Sequence, residues 1–108
     1  MLNTYKILGQ TNPSSTTLTT LYQSPSYAQS IISLISVCNQ SSSGTFRIAI
    51  RPYGETIDPK HYIVYDKTLA GNDSFFLKTA ISLGSRDTIQ VYASSSSFSF
   101  SVFGMSIN

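Results

Sequence analysis

The run SSSSFSFSVFGM, residues 94–105, decides how this chain is read. Phe98, Phe100 and Val102 recur at every second residue, the period of a β-strand, so all three project to one side. Ser97, Ser99 and Ser101 fill the other side with small uncharged groups. After Val102 the beat shifts, and Phe103, Met105 and Ile107 hold the opposite parity. A bulge near Val102 and Phe103, eased by Gly104, would account for the shift. The apolar residues beyond it would then face a different layer, such as a neighbouring subunit.

The same alternation extends outward. TYKILG is a first strand, closed by GQTNPSS, and TTLTTLYQ alternates Leu18, Thr20 and Tyr22 before Ser24-Pro25. YAQSIISLISVCN carries apolar residues on both faces, as a central strand does. Ile31, Leu34, Ile35 and Cys38 also fit a helical period, but the β-branched Ile31, Ile32, Ile35 and Val37 favour a strand. NQSSSG is a turn in which Gly44 supplies a permissive backbone. TFRIAIR puts Phe46, Ile48 and Ile50 on one face and Arg47, Ala49 and Arg51 on the other, and Pro52 stops the ladder. HYIVYD turns either Tyr62 and Val64 or Ile63 and Tyr65 inward. SFFLKTAISL aligns Phe75, Leu77, Thr79 and Ile81, and TIQVYAS aligns Ile89, Val91 and Ala93.

These runs make about eight strands with a turn every ten residues or so. That is the spacing of an all-β, antiparallel two-sheet β-sandwich of the jelly-roll or immunoglobulin-like kind. At 108 residues the chain reads as a single domain, 1–108. Residues 1–14 read as an N-terminal arm or an edge strand.

Composition narrows the function. Only 11% of residues are charged, and the net charge is +2. The basic residues are scattered, which argues against a nucleic-acid partner. The one cysteine, Cys38, cannot form an internal disulfide and reads as a small buried hydrophobe. No signal-peptide pattern opens the sequence, and no apolar run is long enough to span a bilayer. The expectation is a soluble protein made in the cytosol of the cell that produces it, without membrane attachment.

Chemistry is poorly supported. The single histidine, His61, lies near Asp58 and Asp66, yet no G-x-S-x-G elbow is present. It reads as a strand-edge histidine against a loop. The acidic residues sit at or beside turns, where aspartates cap their own backbone. No catalytic residue, cofactor or metal is therefore expected. Seven tyrosines could stack on sugars, but there is no tryptophan, and Tyr62, Tyr65 and Tyr92 read as packing at sheet margins.

What remains is contact with other proteins. Arg47 and Arg51 project the same way as one exposed stripe, and arginine is enriched at interfaces. A surface of Ser, Thr and Ala packs closely without desolvating charge, and few charges guard the strand edges. Arg47, Arg51, Ser99, Phe103 and Ile107 are the candidate interface residues.

The segments YKILGQTNPSSTTLTTLY, VCNQSSSGTFRIAIRPYG, HYIVYDKTLAGNDSFFL and DTIQVYASSSSFSFSVFG, in that order, resemble small structural proteins of tailed phages, including those of cyanobacteria. The resemblance runs from about Tyr5 to Gly104 and is one of strands and turns. It implies a virion component without enzymatic activity, first a capsid cement or decoration protein and second a neck, tail or fibre part. It also implies a homo-oligomer, with a trimer favoured, docked on the major capsid protein. A carbohydrate-binding module for host-surface recognition is the other alternative.

Overall fold

A computed structural model describes residues 4–107. It contains eight strands: β1 (Tyr5–Thr11), β2 (Thr19–Gln23), β3 (Gln29–Asn39), β4 (Gly44–Arg51), β5 (Tyr62–Leu69), β6 (Asp73–Leu83), β7 (Thr88–Ala93) and β8 (Phe98–Ile107). A single 3-10 turn, Pro59–His61, precedes β5. The strands form two four-stranded sheets, ordered β1-β8-β3-β6 and β2-β7-β4-β5. Every pairing is antiparallel.

The order follows a simple rule. β1 pairs with β8, β2 with β7, β3 with β6 and β4 with β5, as if one long antiparallel ribbon had been rolled up. Rolling adds β3 to β8 and β4 to β7. This is the jelly roll, not the immunoglobulin arrangement, in which β1 and β2 would be neighbours in one sheet. The N-terminal segment is the edge strand β1, and residues 1–3 of the expected arm lie outside the described residues. The shortest dimension, 20 Å, is that of two packed sheets.

The core lies between the sheets. Phe98, Phe100 and Val102 are buried on the inner side of β8, as the alternation predicts. Phe46 of the facing sheet meets Phe75, Phe98 and Phe100 with ring centroids 5.5, 6.1 and 6.1 Å apart. Such tilted packing adds to the burial of the rings themselves. Val64, Phe75, Leu77 and Ile81 close the margins.

The expected bulge is displaced. β8 itself runs without a slip, and the extra residues are Leu8 in β1 and Ser33 in β3, both opposite the Val102–Gly104 stretch. Gly104 continues the inward parity, where a Cβ would lie 2.1 Å from the Ile31 carbonyl oxygen. The bulge in β3 lets Ser30 and Ile32, then Ile35, Val37 and Asn39, all face inward. β2 bulges at Leu21, which is buried, so the expected face of Leu18, Thr20 and Tyr22 is broken. Gly44 does not have a positive φ, and a Cβ there would meet the Ser94 hydroxyl at 2.7 Å. Space, not backbone freedom, requires that glycine.

Buried polar groups tie the loops together. The Asn39 amide is fully buried, donates to the carbonyls of Ser42, Leu69 and Ala70, and accepts from Ser41 N–H and the Ser97 hydroxyl. One side chain thereby joins the β3–β4, β5–β6 and β7–β8 turns. At the other end, the Ser30 hydroxyl bonds those of Tyr22 and Ser24 at 2.7 and 2.8 Å.

Candidate interaction surfaces

The five candidate interface residues divide between the two outer faces of the sandwich. Ser99, Phe103 and Ile107 lie on the outer face of β1-β8-β3-β6, whereas Arg47 and Arg51 lie on the outer face of β2-β7-β4-β5. They do not form one site.

On the first face, cross-strand pairing builds apolar rows. Phe103 stands between Ile7 and Leu34, and Met105 between Tyr5 and Ile31. Ile107 pairs with Gln29 at the end of the strand. Tyr5, Ile7 and Phe76 remain 71%, 54% and 61% exposed. Apart from Phe76, the other half of the face is small, with Ser36 between Ser101 and Phe76, and Cys38 between Ser99 and Ser74. Cys38 is thus half-buried on an outer face and not in the core. Among the described residues the only charged side chains that β3, β6 and β8 place on this face is Lys78 of β6, which pairs with Leu34.

The second face is partly closed by the protein itself. The stripe of Arg47, Ala49 and Arg51 is not exposed as expected: Ala49 is fully buried, and its neighbour Gln90 is 8% exposed. The segment 52–61 folds back here, and its 3-10 turn packs on β4. Two irregularities in β5 re-aim side chains toward β4, one at Ile63 and one at Tyr65 and Asp66, where Asp66 has a φ of 50°. As a result Val64 turns inward and Tyr62 stays outside, a mixture of the two expected registers. The Arg47 guanidinium lies 4.3 Å from the Tyr65 ring centroid and 4.2 Å from that of Tyr92. It also donates twice to Asp66, from Nε at 2.6 Å and from Nη2 at 3.3 Å. Those hydrogen bonds, with the charge of Asp66 and despite desolvation, raise the Arg47 pKa above its ordinary value. Stacking on two rings and a bidentate carboxylate is the geometry that suits arginine.

His61 is a structural element of the same closure. It is buried, its Nδ1 accepts from Asp58 N–H at 3.0 Å, and its Nε2 lies 3.0 Å from Glu55 Oε1. An acceptor at Nδ1 fixes the proton on Nε2, which donates to Glu55. Asp58 completes a capping box by accepting from Lys60 N–H. Both ring nitrogens are thereby occupied, so this geometry leaves neither available to a serine hydroxyl. The hydrogen bond from His61, followed by the charge of nearby Lys60, holds the Glu55 carboxyl below its usual pKa.

Sequence reasoning missed the Arg47–Asp66 pairing because it depends on the β5 irregularity. It also missed the loop over Ala49, whose only sequence signal is the D-P-x-H capping pattern of residues 58–61. Among the described residues, no group of three or more His, Cys, Asp or Glu side chains is placed to hold a metal ion, and no helix is long and apolar enough to cross a membrane.

Jelly rolls serve viral shells, lectins and cupins alike, so the architecture alone does not choose a function. No family model matches this chain, and no curated protein or solved structure matches it significantly.

Proposed function

We propose that this protein is a non-enzymatic virion structural component, a capsid cement or decoration protein, that associates with a second copy of itself through the outer face of β1-β8-β3-β6. The observation that carries the reading is the continuous row of Ile7, Phe103 and Leu34 beside that of Tyr5, Met105 and Ile31, of which Tyr5 and Ile7 are exposed. Four strands and ten residues span about 600 Å² of flat area per copy, which reaches the lower end of standard interfaces when two copies meet. A face packed on its own copy about a two-fold axis is self-complementary. A trimer, favoured where a shell lattice offers local three-fold positions, would instead bury this face against a different patch of its neighbour. Weak contacts of this kind gain strength when a shell lattice repeats them. The test is purification of virus particles: the protein should appear as a stoichiometric band. Recovery only from the infected-cell lysate would overturn the reading, and a few copies per particle would favour a neck, tail or fibre position.

One observation favours a second reading, a carbohydrate-binding module. Tyr62 and Tyr65 meet edge to face at 5.0 Å and line a cleft of about 410 Å³ with Ile57, Asp58 and Pro59. Retention on host polysaccharide that is lost in Tyr65→Ala would establish it, and no retention on any would remove it.

A further inference from the structure

We infer that the cleft between the β4–β5 loop and the β6–β7 turn binds an oxyanion, a carboxylate or a phosphate, between Arg51 and Arg86. This cleft of about 370 Å³ is lined by both arginines together with Gln23, Tyr53, Glu55 and Thr88. Among the described residues no carboxylate lies within 4.0 Å of either guanidinium, in contrast to Arg47.

The nearby acids are committed elsewhere. Asp87 accepts from Tyr53 N–H at 2.9 Å and from Gly84 N–H at 2.9 Å, so it holds the two loops together and not an arginine. Glu55 lines the cleft, but its carboxylate lies 3.0 Å from His61 Nε2 and 3.5 Å from Lys60 Nζ. Two arginines thus line one concave surface, and among the described residues neither is paired with a carboxylate.

The backbone holds the arginines in place. Arg86 has a φ of 65°, a conformation that ordinarily favours glycine or asparagine. Its N–H donates to the Ser24 carbonyl, and its own carbonyl accepts from the Gln23 amide. The guanidinium carbon lies 5.2 Å from the Tyr53 ring centroid, and Nη1 donates to the Tyr53 hydroxyl at 3.2 Å. Across the cleft, the Arg51 carbonyl accepts from the buried Thr88 hydroxyl. Guanidinium forks present paired N–H donors that match carboxylate and phosphate oxygens. Tyr53, 58% exposed, offers a ring at the rim for whatever carries the anion.

Two-dimensional amide NMR on the full chain tests this, with inorganic phosphate in one titration and glucuronate in the other, at ionic strength held constant with chloride. Saturable shifts are expected at Gly54, Glu55, Thr56 and the Gln23 side-chain amide. Affinity should fall about tenfold or more in Arg51→Gln and in Arg86→Gln, and should be unchanged in Lys67→Gln at the far end of the β4–β5 ladder. Saturation by phosphate alone identifies a phosphate site, and saturation by glucuronate identifies a carboxylate site. The inference is overturned if neither anion saturates, if both arginine variants bind as the parent does, or if Lys67→Gln weakens binding equally. Thermal melting confirms that each variant folds, and if one arginine variant does not, the other carries the test.

Discussion

The two outer faces of this sandwich are built from the same kind of alternating strand and end in opposite states. On β2-β7-β4-β5, the outward residues find partners within the chain: Arg47 is stacked on Tyr65 and Tyr92 and bridged to Asp66, and Ala49 is fully buried. On β1-β8-β3-β6, the outward residues include the exposed Tyr5, Ile7 and Phe76 and the half-buried Phe103 and Met105. The difference comes from the connections. The long β4–β5 loop lies back across its own sheet, with Asp58 and His61 capping each other. An apolar outer face of this kind is the surface that the proposed self-association would bury.

Substitutions along β8 sharpen the contrast between inside and outside. Phe100→Ala should cost about 3–5 kcal/mol in urea unfolding, because it opens a cavity beside Phe46. Its near neighbour Phe103, on the outer side, should cost about 1 kcal/mol as Phe103→Ser in the monomer. Equal losses at the two positions would erase the distinction between core and surface on which the comparison rests.

On the closed face, Arg47→Ala removes two ring contacts and a bidentate pair from a half-buried site. The expected loss is about 1–2 kcal/mol, discounted because the Asp66 side chain is 44% exposed. A loss below about 0.3 kcal/mol would mean that the face is open in solution.

The closure also carries a pH signature. Glu55 has a lowered pKa in the folded state, so its contribution is fully present above the ordinary carboxylate value of about 4.3. It declines as pH falls below that value and is gone once pH passes the lowered folded value. The urea midpoint should therefore drop less in Glu55→Gln than in the parent between neutral pH and the acid range. Identical pH profiles would show that the His61–Glu55 contact does not persist. The smallest effect on folding belongs to Ile7→Ser, within about 0.5 kcal/mol at its exposed position.

Much of this architecture was legible because burial imposes parity. Phe98, Phe100 and Val102, and likewise Ile89, Val91 and Ala93, face the core as their alternation requires. Within the run of residues 27–39, the strand β3 forms over Gln29–Asn39 and not a helix, because it is flanked on both sides and is apolar on both faces. Bulges were not legible, since one extra residue such as Leu8 or Ser33 changes register without changing composition. The shift after Val102 was visible in the sequence, but its cause lay in the neighbouring strands. The pairing of Arg47 with Asp66, nineteen positions away, required the backbone of β5 to bend first. The arginine cleft is only half visible in the sequence: Arg51 belongs to the alternating stripe of β4, while Arg86 joins it only through the β6–β7 turn.

The proposal that a second copy covers the β1-β8-β3-β6 face is tested most directly by sedimentation velocity of the parent and of the double variant Ile7→Ser, Phe103→Ser over a range of concentrations. The account predicts a parent that self-associates as concentration rises and a variant that stays monomeric while remaining folded. A parent that is monomeric at its highest soluble concentration, or a double variant that associates just as strongly, would contradict it.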